Sequence, residues 1–173
     1  MDLSALSSKD AKKKYVCSKE IIRLAHNEPK KLIKDYEFFL ELLKSENNIM
    51  KWTAIDAIGG IVSVTGLKRG VKLLISYLNK GKMITAGHAM DALTQIAIAK
   101  PEFKKQIIKE LIKVPNYKYD TDECNRIACS RIIACLEILE AKGKIIESFL
   151  KEQSKSKRNA TKNRAQKLLK KII

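Results

Sequence analysis

The octet Ala54-Ile55-Asp56-Ala57-Ile58-Gly59-Gly60-Ile61 opens on a small residue, places isoleucine fifth and closes on isoleucine. Small at i with bulky aliphatics at i+4 and i+7 is one face of a helix, and the small side chain lets a neighbouring helix come close. The same face recurs without gaps at residues 17–24 (CSKEIIRL), 89–96 (AMDALTQI), 129–136 (CSRIIACL) and 165–172 (AQKLLKKI). The five starts lie 37, 35, 40 and 36 residues apart. One such face arises by chance; five at a near-constant period do not.

Four further apolar stretches fall between them, at 38–44 (FFLELLK), 73–79 (LLISYLN), 107–113 (IIKELIK) and 145–151 (IIESFLK). A two-helix unit therefore recurs every 35–40 residues. Such a unit cannot bury its apolar faces alone, so consecutive units stack and cover one another. The expected fold class is all-α: an α-α superhelix of about nine helices.

The connectors agree. Residues 45–49 (SENNI) and 79–83 (NKGKM) are short polar turns, and Pro29 and Pro101 sit where the first turn of a helix tolerates proline. Residues 115–123 are longer, with Thr121 or Asp122 as the cap of the next helix. Gly59-Gly60 inside a helix reads as close packing rather than as a phosphate cradle. Residues 1–8 read as a flexible N-terminus, and 153–160 as a basic linker before the last helix.

The 173 residues suit a single domain or one repeat array, and 45% hydrophobic content supports a real core. The net charge of +16 favours an acidic partner. It is uneven: half of the excess lies in the last 23 residues, where nine Lys and Arg face Glu152 alone. Elsewhere Lys68, Arg69 and Lys72 with Lys104, Lys105 and Lys109 form a second basic stripe. Lysine dominates, with six arginines in all, and Arg rather than Lys makes bidentate phosphate contacts. The first ten residues lack the pattern of a signal peptide, and no apolar run approaches a membrane span. Cys17, Cys124, Cys129 and Cys135 have no metal-binding spacing and read as structural thiols of a cytoplasmic protein. No metal and no cofactor are expected.

Residues 50–59 (MKWTAIDAIG) resemble the second helix of a HEAT repeat, V-R-x-x-A-A-x-A-L-G, with Lys51 in the Arg place and Asn47-Asn48 in the preceding turn. Residues 125–134 (NRIACSRIIA) are similar, with Arg126 in that place and Asp120 or Asp122 in the turn, while Lys14 and Lys162 fill it elsewhere and Ala86 departs from it. The resemblance covers roughly residues 10–173 and implies one HEAT-like repeat domain. A half repeat, helix 9–27, would be followed by four helical pairs: 30–45 with 49–65, 68–80 with 84–99, 101–113 with 122–141, and 143–152 with 160–172. The second helices of that family line the concave face.

The third place of each octet lies off the buried stripe and reads Lys19, Asp56, Asp91, Arg131, Lys167. Two places before each octet the row reads Tyr15, Trp52, Gly87, Ile127, Asn163. Trp52 and Asp56 share a helix surface, four residues apart. Gly87 leaves space beside the indole, so Trp52, Asp56, Asp91 and Arg131 would line a recess with His88 nearby. His88 has no partner in this reading that would make it a base or a ligand, and no catalytic set stands out.

Three functions follow. The first is a non-catalytic scaffold that docks an acidic macromolecular partner, most simply a protein, on the face carrying Lys19, Trp52, Asp56, His88, Asp91, Arg131 and Lys167. The second is a nucleic-acid-binding module using the basic patch of Lys155, Lys157, Arg158, Lys162, Arg164, Lys170 and Lys171, which would give salt-sensitive phosphate contacts. The third comes from resemblance to the HEAT-like alkylpurine DNA glycosylases, whose concave cleft sets aromatic rings, an Asp and an Arg around a damaged nucleotide. Trp52 and Asp56 match a W-x-x-x-D element of that kind, and Arg131 is the candidate cleft Arg. No membrane partner is expected. The apolar end of the last helix, residues 168–173 (LLKKII), predicts self-association there.

Overall fold

The computed structural model describes residues 3–80 and 82–173. Among them nine α-helices and no strand occur: α1 Ala11–Asn27, α2 Tyr36–Leu42, α3 Asn48–Thr65, α4 Lys68–Ser76, α5 Met83–Ala99, α6 Pro101–Leu111, α7 Asp122–Ile138, α8 Lys144–Gln153 and α9 Asn159–Ile172. Their starts are chemically marked. Asp10 accepts the backbone N–H groups of Lys12 and Lys13, Asn47 those of Ile49 and Met50, and Thr121 that of Cys124. Of the two candidate caps for α7, Thr121 is the one used. Gly66 ends α3 in the left-handed region at φ 70°, its N–H on the Val62 carbonyl.

Consecutive odd-numbered helices pack side by side, from α1 through α3, α5 and α7 to α9. The even-numbered helices lean on this row rather than on one another. In chain order this is the expected half repeat followed by four helical pairs, with α6 packed on α5 and the turn Val114–Asn116 meeting α7. Ala54, Ile58 and Ile61 of the central octet are buried, as are Ala89, Leu93 and Ile96 in α5 and Cys129, Ile133 and Leu136 in α7. The end helices, which have a neighbour on one side only, are turned slightly. Cys17 in α1 and Leu169 and Ile172 in α9 are half-buried. Leu168 is the buried leucine of α9.

Helix α3 lies between α1 and α5, and every residue from Thr53 to Ser63 is buried. The glycine pair makes that possible. A Cβ on Gly59 would stand 2.5 Å from the Ala92 Cβ of α5, and one on Gly60 would run into the Ala25 carbonyl of α1. Each glycine faces a different neighbour, so α3 touches both at backbone distance. Helix propensity alone would favour alanine here by about 1 kcal/mol. The packing overrides it.

Several boundaries differ from the sequence reading. Residues Pro29–Asp35 form a 3-10 turn that places Leu32 in the core before α2 begins. Residues Ser4–Ser7 form another, with Leu6 buried against α1. Of the expected flexible stretch 1–8, Met1 and Asp2 lie outside the described residues, and the rest packs because it carries that leucine. The linker expected at 153–160 is shorter: Gln153 is a buried end of α8, and Asn159 already belongs to α9. The segment after α6 is pinned. The Tyr119 hydroxyl donates to the Leu78 carbonyl at 2.7 Å, and the Asn125 side chain bonds both the Tyr119 N–H and the Tyr117 carbonyl.

Helix α9 buries Thr161, Ala165 and Leu168, and its exposed positions include Lys162, Asn163, Gln166, Lys167 and Lys170. Beside these polar residues Ile173 is exposed and Ile172 half-buried. No helix among the described residues is long and apolar enough to cross a membrane. No disulfide joins the four cysteines; burial pushes the Cys129 thiol up to about 11 and raises that of Cys135.

Candidate functional site

The residues singled out on the odd helices fall into two groups that bond separately. In the first, the Trp52 indole N–H of α3 donates to the Thr85 hydroxyl of α5 at 3.0 Å. The indole face stacks on the His88 ring, with centroids 5.4 Å apart and planes 12° from parallel. His88 Nδ1 lies 3.0 and 3.1 Å from the two carboxylate oxygens of Asp56, which is itself buried. With the carboxylate as acceptor, Nδ1 carries the hydrogen. His88 therefore has the partner that the sequence reading did not give it. Burying a carboxylate is costly unless it is bonded, and this imidazole is the bonded group facing Asp56.

The second group is Asp91 with Arg131. The Arg131 guanidinium donates to both carboxylate oxygens, through Nε at 3.1 Å and through Nη2. That pairing, first of all its hydrogen bonds, holds the guanidinium above its ordinary pKa. The space that Gly87 leaves is filled by this guanidinium rather than by Trp52, since a Cβ there would stand 3.1 Å from an Arg131 nitrogen. Lys19 and Lys167 join neither group. Lys19 is exposed on α1 with its ammonium 4.6 Å from the Tyr15 ring centre, and Lys167 is exposed on α9. Beside the Asp91–Arg131 pair runs a shallow groove of about 290 Å³, with Ile98 and Ile138 exposed along it at 58% and 59%.

All six arginines are engaged within the chain. Arg23 bonds Glu20 at 2.7 Å, Arg69 bonds Glu37, Arg126 and Arg158 share Glu123 at 2.9 Å each, and Arg131 holds Asp91. Arg164 donates to the Ser130 carbonyl at 3.2 Å. Glu123 is held below the usual carboxylate range, first by Arg126. Of the predicted C-terminal patch, Arg158, Arg164 and Lys171 are thus tied to α7, Lys171 through Glu137. Lys155, Lys157, Lys162 and Lys170 are exposed and form no ion pair among the described residues. The outward positive charge of this end is carried mostly by lysine, with the exposed Arg164 beside it.

A groove of about 640 Å³ lies on the even side, between α6 and the start of α8. Lys104, Lys105 and Lys109 line it, as the sequence stripe suggested, but Lys68 and Lys72 face a smaller groove between α4 and α6. Sequence reasoning missed Ile108, Ile112 and Ile145 here. The doubled aliphatics at 107–108 and 145–146 were the available signal: one of each pair is core and the other is not.

Fold and surface together define a class, an all-α superhelix of stacked helical hairpins with a lysine-rich exterior. Among solved structures, the crystal structure of an engineered protein from the Northeast Structural Genomics Consortium is similar, with a TM-score of 0.53 and 19% identity over 96% of this chain and 76% of that one. The likeness shows the fold. No protein-family model matches the chain, and no curated protein does.

Proposed function

We propose that this chain is a non-catalytic repeat scaffold of HEAT type that docks an acidic protein partner in the cytoplasm. The observation that carries the reading is the division of its charges. Five of the six arginines pair with the chain's own acids, within or between helices, whereas the outward charge is mostly lysine on flexible stems. Ammonium groups of that kind attract acidic surfaces without demanding bidentate geometry. The same pairing weakens the glycosylase alternative. Asp56 lies behind His88, and one face of Trp52 is covered by the same ring, so a damaged base would have to displace the imidazole before meeting either.

Nucleic acid is the second reading, favoured by the exposed Lys155, Lys157, Lys162 and Lys170 at one end. Fluorescence anisotropy with a polyglutamate-rich peptide and with random-sequence duplex DNA, each titrated with salt, separates the two. The scaffold reading expects peptide binding that persists at 150 mM salt and DNA binding that fades there. DNA bound more tightly at every salt, with a steep slope, would replace it by the second reading. Base release from alkylated DNA that Asp56→Asn abolishes would replace it by the third.

A further inference from the structure

The α6–α8 groove combines two features found separately elsewhere on the surface. Its floor is aliphatic: Ile108 and Ile112 project from α6, and Ile145 stands across from them at the start of α8, 66% exposed. Ile108 and Ile112 are half-buried against the core and Ile145 is exposed, so the three line one concavity rather than lying scattered. Its rim is basic. Lys104, Lys105 and Lys109 stand on one side and Lys142 and Lys144 on the other. Among the described residues none of these five lysines has an ion-pair partner, and Glu140 is the carboxylate lining the groove.

The groove has a structural origin. Helix α6 leans on α5 and α8 leans on α9, so the two even helices do not close on each other. Glu140, in the left-handed region at φ 49°, and Gly143, at φ 119°, turn the chain sharply between α7 and α8 and carry Lys142 to the rim.

We infer that this groove binds an acidic amphipathic helix, two to three turns long, whose aliphatic or aromatic residues at i, i+3 or i+4, and i+7 seat on Ile108, Ile112 and Ile145 while its flanking Asp and Glu meet the five lysines. This rests on the acidic-partner reading above and gives it a site. The length follows from α6, whose eleven residues rise about 16 Å. Helix-in-groove docking uses this spacing of anchors. Nucleic acid suits the groove less well: its floor has no aromatic ring on which a base could stack, and no arginine lines it.

The test uses the full chain and two synthetic helical peptides of fourteen residues, one with leucines at i, i+4 and i+7 among glutamates, the other with those leucines replaced by serine. The first is expected to bind, and the second to bind at least tenfold more weakly at 150 mM salt. Ile145→Asp, at an exposed position, and Lys142→Glu with Lys144→Glu, on the rim, should each weaken the first peptide at least tenfold, with melting temperatures near that of the parent. Lys155→Glu with Lys157→Glu should leave it within twofold. Equal binding of both peptides, or a C-terminal variant as damaging as the rim variant, overturns the groove and leaves the acidic-partner reading standing. Failure of both peptides at 25 mM salt overturns that reading as well. Duplex DNA that displaces the peptide and is itself lost in the rim variant would assign the groove to nucleic acid instead.

Discussion

Gln95 of α5 donates its side-chain amide to the carbonyl of Ala25 in α1 at 2.9 Å, reaching past the helix that lies between them. The Ala25 carbonyl needs this donor. In a continuing helix it would accept the N–H of residue 29, but residue 29 is proline and has none. Gly60 of α3 faces this carbonyl without a side chain. Three residues on three helices therefore solve one local problem, and the solution locks the first repeats in register.

Gln95→Leu keeps the volume and removes the donor. Ala25 is fully buried, so its carbonyl would be left without a partner at a cost of about 1–3 kcal/mol. Urea unfolding should show a lower midpoint with an unchanged slope, and Gln95→Glu, which turns an acceptor toward the carbonyl, should cost more. Unchanged midpoints in both would show that the bond adds nothing to stability.

Trp52 is the sole tryptophan, so its emission reports on the group it shares with His88 and Asp56. His88→Ala removes the stacked ring and strands the buried Asp56 carboxylate, which should destabilise the fold by about 1–3 kcal/mol and move the emission to longer wavelength. His88→Gln restores a donor but no ring. It should recover part of the stability while the emission stays shifted. Parent-like stability and emission in His88→Ala would mean that the three side chains do not act together.

The octets made the row of odd helices legible because a small residue followed by two aliphatics states what a helix can touch. The same alignment placed Asp56 beside Asp91 and left His88 alone. Register defeats such an alignment. Asp91 and Arg131 bond at equivalent places in their helices, but the α1–α3 bond of Ser18 with Thr53 is offset by two places and the α3–α5 bond of Asp56 with His88 by three, about one turn, so Asp56 meets His88 rather than Asp91. Nothing local in either helix encodes that offset. The α6–α8 groove was hidden for a related reason: Ile107 and Ile108 look alike in sequence, and the lean of α6 on α5 decides which is core.

The joint between α7 and α9 should respond to acid before the centre of the array does. Glu123 receives Arg126 and Arg158, and Glu137 receives Lys171; both carboxyls are held below the usual range, Glu123 first by its bond to Arg126 and Glu137 first by its bond to Lys171. A carboxyl whose folded pKa is depressed stabilises the fold fully above its unfolded pKa, and that contribution disappears as pH falls through the lower folded value. Arg158 precedes α9 and Lys171 sits in its last turn, so both ends of the helix lose a tie to α7 below about pH 4. The central joint of α3 with α5 carries the Asp56–His88 pair as well, but rests mainly on the glycine-to-alanine contact and full burial. Amide resonances of α9 should therefore shift or broaden between pH 5 and 3 while those of α5 hold, and Glu123→Gln with Glu137→Gln should reduce that difference. Acid transitions that coincide in both helices would instead place the weak point in the shared core.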